Sequence, residues 1–263
     1  MRVALLTNLT ARASLPVLER LALSPQIELR HVFFYNTLAD SRAAPLQVLR
    51  EFGLTTLASK MAQVVRSQLR VRIGRRLKAG WIKPCSSYEF AVFHQLPHTV
   101  TSNMNSTQSY EQLLRANVEV VVTCVCKNIL QAKLLSMPGR HFVNIHPSLL
   151  PNYRGPSPTF WMLYNGEQQT GYTIHRMTTQ VDRGAVLAQA AMPLNCQRTE
   201  LEIELEVFAA AADTLVDTLL ELKEALPDSS SDTDQAEGSY HTFPTPQQRQ
   251  ELARRLAAIA VVQ

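Results

Sequence analysis

The chain has 263 residues, 46% of them hydrophobic and 18% charged, with a formal net charge of +4. That length and balance specify a globular protein with a sizeable core, organised as one large domain with at most a small appendage. The slight basic excess suits an anionic ligand but is too weak to argue nucleic-acid binding by itself. The four cysteines, Cys85, Cys124, Cys126 and Cys196, lack paired metal-ligand spacing. No metal is therefore expected, and Cys124 and Cys126 read as buried free thiols within an apolar run.

In chain order, Arg2–Asn8 (RVALLTN) reads as a β-strand whose apolar core is too brief for a signal peptide. No segment approaches the ~20 apolar residues of a membrane span. The expectation is a cytoplasmic protein with no membrane contact. A helix over 14–23 and a strand over Ile27–Asn36 follow. Between Lys60 and Lys83, the basic residues Arg66, Arg70, Arg72, Arg75, Arg76 and Lys78 alternate with Met61, Val65, Leu69, Ile73 and Leu77. This stretch reads as an amphipathic helix with a solvated basic face; the alternative is a patch facing a phosphate or carboxylate.

Val118–Cys124 is a continuous β-branched run, the mark of a strand buried on both faces. Asn128–Met137 reads as a crossover helix leading to a further strand at Phe142–Ser148. Strand and helix alternating in this way predict an open, mostly parallel, Rossmann-like α/β sheet. The pattern then changes: Thr170–Thr178 and Ala185–Leu194 predict an antiparallel hairpin. A long helix follows, with Leu201, Leu205, Phe208, Ala212, Leu215, Leu219 and Leu222 as its apolar stripe, stopping before Pro227. The polar stretch 228–239 predicts a flexible linker after a main domain of residues 1–227. Residues 240–263 form a short strand-and-helix appendage, whose helix at 247–258 could pack on its own domain or on a second subunit of a homodimer.

The chemistry concentrates in Asn144–Trp161, NIHPSLLPNYRGPSPTFW. Alternation along a strand puts Asn144 and His146 on one face, about 7 Å apart. His146 falls at the carboxyl end of its strand, where open α/β sheets present their ligands. Pro147, Pro151, Pro156 and Pro158 stiffen the loop that leaves it. The hairpin loop TTQVDRG adds Asp182. Asn, His and Asp in one cleft suit acyl transfer: the amide donates to a developing oxyanion, the imidazole shuttles a proton or donates to the same oxygen, and the carboxylate raises the imidazole pKa or accepts a proton from an attacking amine. No serine or cysteine is placed as an obvious nucleophile, which favours direct transfer over an acyl-enzyme.

Together NIHPSLLPNYRG, YNGEQQTGYTIHRM and VDRGAVLAQ resemble the 10-formyltetrahydrofolate-dependent formyltransferases, most strongly over Val118–Leu222. The resemblance implies that Asn144, His146 and Asp182 are the catalytic set. It implies a pterin pocket built from Val125, Cys126, Lys127, Asn128, Ile129 and Leu130 on one side and Thr178 and Gln180 on the other. An acceptor amine would attack the formyl carbon directly, leaving a formamide and tetrahydrofolate.

The glycine-rich phosphate loop of the glycinamide ribonucleotide branch is absent, since its position reads TNLTARAS. Little chain follows the long helix, unlike the tRNA branch, so a tRNA partner is not expected. Tyr172 stands where relatives carry a small aliphatic residue, a change expected to repack its strand. The resemblance therefore points to a small-molecule amine, foremost a nucleotide-linked amino sugar contacted by Tyr153 and Arg154. An amino acid or natural-product amine, free or carrier-bound, is the alternative acceptor. A non-catalytic folate-binding protein is the alternative class.

Overall fold

The computed structural model describes residues 1–36, 58–59, 62–73, 83–224 and 237–262. Seven strands form one sheet: β1 (Arg2–Asn8), β2 (Glu28–Tyr35), β3 (His98–Thr101), β4 (Val120–Cys124), β5 (His141–His146), β6 (Gln169–Arg176) and β7 (Val186–Pro193). Their spatial order is β3-β2-β1-β4-β5-β6-β7. The five strands from β3 to β5 pair in parallel, whereas β6 runs antiparallel to β5 and β7 antiparallel to β6. The fold is thus the expected mostly parallel α/β sheet extended by a hairpin.

The helices are α1 (Leu15–Leu23), α2 (62–73), α3 (Ser87–Phe93), α4 (Thr107–Ala116), α5 (Ala132–Leu135), α6 (Pro158–Asn165), α7 (Glu200–Glu224) and α8 (Pro246–Val262). They cover both faces of the sheet. Alternation in β1 and β4 divides the core: Val3, Leu5, Val120 and Val122 face α1, α3, α6 and α7, while Ala4, Leu6 and Val121 face α4 and α5. All five residues of β4 are buried, as its unbroken apolar sequence requires.

Two element boundaries depart from the sequence pattern. The crossover helix expected over Asn128–Met137 is only the four residues of α5. Its first half is spent on another loop: Asn128 Oδ1 accepts from Met104 N at 2.9 Å, Asn105 Nδ2 donates to Ile129 O at 2.9 Å, and Gln131 N donates to Asn105 Oδ1 at 2.8 Å. Backbone groups tied in this way cannot close helical turns. In α7 the buried face follows Ile203, Val207, Phe208, Ala211, Ala212 and Leu215, leaving Leu201 and Leu205 only half-buried at its start. Tyr172 lies in the core beneath this helix, its hydroxyl 2.7 Å from Thr214 Oγ1.

The predicted linker falls mainly on residues outside those described. Its end, Gly238 and Ser239, is hydrogen-bonded to the loop after β5. Among the described residues no helix is long and apolar enough to cross a membrane.

Candidate active site

The sheet itself builds the floor of the site. Thr123 of β4, Asn144 of β5 and His175 of β6 are registered opposite one another across three strands. Thr123 Oγ1 donates to Asn144 Oδ1 at 2.6 Å, and Asn144 Nδ2 donates to His175 Nε2 at 3.0 Å. His175 Nδ1 lies 2.8 Å from the Arg176 carbonyl. Only an N–H can face that carbonyl, so His175 carries its proton on Nδ1 and its Nε2 lone pair accepts from Asn144. The network fixes which way the Asn144 amide points and leaves its second Nδ2 hydrogen available to a ligand.

His146 ends β5. Its Nε2 lies 2.8 Å from Tyr153 O and must be the donor there, which turns Nδ1 toward Asp182 Oδ2 at 3.6 Å. Because β6 is antiparallel, its last residue pairs with Val143, short of His146. The loop after β6 must fold back along the sheet to return Asp182 to the cluster. Asp182 achieves this at φ +53, a left-handed conformation that Asp tolerates better than most residues. Its Oδ2 accepts from Gly155 N at 2.8 Å, and Oδ1 lies 3.6 Å from His175 Nε2. The carboxylate thus sits between two imidazoles, with its side chain 12% exposed.

The loop after β5 carries its own strain, with Tyr153 at φ +59 and Ser157 at φ +59. Such conformations cost roughly 1–3 kcal/mol each and persist only where the surroundings over-determine them. Val125, a β-branched residue at φ +51, is a third case; its carbonyl accepts from Asn8 N at 3.2 Å, tying the end of β4 to the end of β1.

Burial drives the His175 pKa down to about 4, overcoming the opposing pull of Asp182. The folded value lies below the ordinary 6.5, so the unfolded chain binds the extra proton as pH falls. The stability this contributes is complete above pH 6.5 and is lost on descending toward pH 4. The expected loss is ~3 kcal/mol across that window. Urea unfolding at stepped pH should record it, and His175→Gln should lack that part of the dependence.

A cleft of about 1340 Å³ opens above this floor. It is lined by Asn144, His146 and Asp182, and also by Arg12, Gln63, Arg66, Arg70, Lys127, Glu204, Tyr240 and Phe243. The alternative reading of the basic stretch gains support here, since Arg66 and Arg70 of α2 face the cleft, although Arg70 is held by Glu89 at 3.2 Å. Val65 and Leu69 on the same helix are exposed, so the expected apolar face is not buried among the described residues. The remainder of that basic stretch, including Arg75, Arg76 and Lys78, lies outside them. Burial and the nearby Glu200 push the Glu204 carboxyl up to about 7, against the pull of Lys127.

An adjoining cavity of about 100 Å³ is lined by Cys126, Asn128, Ile129, Leu130, Thr178 and Gln180, together with Thr123, Asn144, His175 and Asp182. Val125 and Lys127 line the larger cleft instead. Thr178 Oγ1 and Gln180 bond one another's turn, which fixes the loop facing Ile129. Apolar walls (Ile129, Leu130, Val181) and two backbone segments fit a flat heterocycle whose edge carries donors and acceptors. Tyr153 and Arg154, expected as acceptor contacts, are engaged elsewhere. The Tyr153 hydroxyl donates to Glu167 at 2.5 Å, and the nearly buried Arg154 donates from Nη2 to Gly238 O at 3.1 Å.

His175, Thr123 and Gly155 escaped the sequence reading. The first lies inside the TIHRM motif, two residues from Thr173 on the same strand face, so strand alternation could have flagged it. Nothing local marks the other two.

A donor amide, a proton-carrying imidazole and a carboxylate at the carboxyl edge of an α/β sheet form an arrangement that suits group transfer. The matched family is narrower than that class. The chain belongs to the formyl transferase family, whose model matches residues 61–219. It is 31% identical to methionyl-tRNA formyltransferase of Trichormus variabilis over 151 residues, 57% of this chain and 45% of that protein. It is 32% identical to the bifunctional polymyxin resistance protein ArnA of Wigglesworthia glossinidia brevipalpis over 126 residues, 48% of this chain and 19% of that protein. The chain therefore spans less than half the length of these curated relatives. Among solved structures, a sugar N-formyltransferase from Shewanella is similar in fold, with a TM-score of 0.56 at 18% identity over 97% of this chain and 87% of that one. Phosphoribosylglycinamide formyltransferase of Bacillus halodurans has the same TM-score and identity over 84% and 95%.

Proposed function

We propose that the protein transfers a formyl group from 10-formyltetrahydrofolate to a primary amine of a small molecule, foremost a nucleotide-linked amino sugar. The observation that carries this reading is the row Thr123–Asn144–His175, which orients the Asn144 amide in a cleft that Asp182 and His146 also line. The donor supplies the one-carbon unit: the amine lone pair bonds to the formyl carbon, the bond to the folate nitrogen breaks, and tetrahydrofolate departs.

Asn144 stabilises the charge that gathers on the formyl oxygen. Asp182 takes the proton shed by the amine, directly or through a water, and passes it to the His146 Nδ1 beside it, which delivers that same proton to the departing folate nitrogen. Cys126, Asn128, Ile129, Leu130, Thr178 and Gln180 would hold the pterin in the small cavity, leaving the larger cleft for the acceptor.

Two observations favour a nucleotide-linked acceptor. The larger cleft exceeds the roughly 300–1,000 Å³ of an ordinary small-ligand site. Arg12 and Arg66 line it and suit phosphates.

The test is release of tetrahydrofolate, followed by absorbance, with nucleotide-linked amino sugars, amino acids, carrier-bound aminoacyl groups and methionyl-tRNA as acceptors. Release that requires the amino sugars is expected. Release with another class would reassign the acceptor. Folate binding without release under any amine would make the protein a binder.

A further inference from the structure

We propose that Gly238–His241 is a positioning segment of the active site, holding the loop that in turn holds His146 and Asp182. The inference rests on the catalytic reading of those two residues and concerns a part of the chain that lies outside the matched family region.

Three consecutive residues of the loop, Tyr153, Arg154 and Gly155, divide their backbone groups between the two sides. Toward the reacting centre, Tyr153 O receives the His146 Nε2 hydrogen and Gly155 N donates to Asp182. Toward the C-terminal segment, Tyr153 N donates to Ser239 Oγ at 2.8 Å, Arg154 N donates to Ser239 O at 3.0 Å, and His241 N donates to Arg154 O at 2.9 Å. Arg154 and Tyr240 form a parallel bridge. One strip of backbone thus reads the position of a segment more than eighty residues away and passes it to both expected catalytic side chains.

Side chains reinforce the strip. The His241 ring is stacked between Tyr153, at 5.2 Å and 11°, and Trp161, at 4.8 Å and 26°. Trp161 Nε1 donates to Thr242 O at 2.8 Å, and Arg154 reaches Gly238 O. The fit leaves no slack: a Cβ on Gly155 would lie 2.3 Å from His241 O, and one on Gly238 would lie 2.0 Å from Pro151 O. The loop needs such support because Tyr153 and Ser157, both non-glycine residues, sit at φ +59. Without partners on its outer side, it would relax and carry Tyr153 O and Gly155 N away from the imidazole and the carboxylate.

The test compares Ser239→Ala, His241→Ala and His241→Phe in the full chain. Turnover and donor KM are measured alongside nitrogen-15 NMR of the His146 ring, assigned by its loss in His146→Ala. In the parent protein the His146 spectrum should report a proton on Nε2, the nitrogen that donates to Tyr153 O. Ser239→Ala and His241→Ala should shift those signals and lower kcat by roughly tenfold to a hundredfold with donor KM unchanged, as small misplacements do. His241→Phe keeps the stacked ring and should retain most of the turnover.

Unchanged His146 signals and unchanged kcat in both alanine variants would overturn the proposal, whatever happens to the melting temperature. That would be the result of a segment that merely packs. Full turnover in His146→Ala itself would instead sink the catalytic reading on which the proposal stands.

Discussion

Replacing His146 with Ala should lower kcat by about 10²–10⁴-fold. The imidazole has one nitrogen fixed on the scaffold and the other turned to the carboxylate: Nε2 is spent on Tyr153 O, and Nδ1 faces Asp182 at 3.6 Å. Removing it leaves Asp182 beside His175 alone, whose buried Nε2 is occupied by the Asn144 amide and resists protonation, so the proton has a poor route to the leaving folate nitrogen. Folate affinity should hardly move, because His146 does not line the small cavity expected to take the pterin. The Tyr153 carbonyl loses a donor, a stability cost of about 1–3 kcal/mol if no water replaces it. Pre-steady-state release of tetrahydrofolate with calorimetric folate binding would check the split. Retention of more than a tenth of the parent kcat would remove His146 from the chemistry.

Asn144→Ala should cost about 10²–10³-fold in kcat, the usual effect of removing one oxyanion donor. The His175 Nε2, which is buried and kept unprotonated, is orphaned at the same time, while the Thr123 hydroxyl falls back on the more distant Val143 O and Met177 Sδ. Asn144→Asp tests the sign of the effect. It keeps the shape but places an acceptor where negative charge must build, so it should be no better than Ala. Thr123→Val should be much milder, since strand register continues to hold Asn144 in place when the orienting hydroxyl is gone. An Asp variant that restored turnover would mean that the amide is not an oxyanion donor.

What the sequence disclosed was what lies close together along the chain. The strands announced themselves by β-branched runs, as Val120–Cys124 does, and the order of strand and helix implied the parallel sheet. Asn144 and His146 were legible because strand alternation is a local property. Asp182 was legible as the polar residue of the hairpin loop, although nothing in TTQVDRG says that the loop folds back over an antiparallel strand.

The rest depends on contacts between distant segments. Asn144 pairs with His175 across a strand boundary, and Tyr153 pairs with Ser239 across most of the C-terminal third of the chain. The resemblance pointed to Arg154 as an acceptor contact, and no local pattern announced that its side chain reaches Gly238 O. The helix expected over Asn128–Met137 failed for a related reason: Asn105, itself unremarkable, captures the backbone at Ile129 and Gln131.

The division of labour between sheet and loops has a consequence for how such a protein changes. Asn144, the proposed oxyanion donor, is placed by hydrogen-bonded register across β4, β5 and β6, so its position is a property of the scaffold and survives alterations at the rim. Asp182, the proposed proton acceptor, rides with the cleft walls and the cationic side chains on loops and on α2, which can lengthen or exchange residues without disturbing that register. Acceptor preference can therefore drift by substitution at the rim while the power to stabilise charge stays constant. Chemistry and choice of substrate are, in this fold, separately heritable.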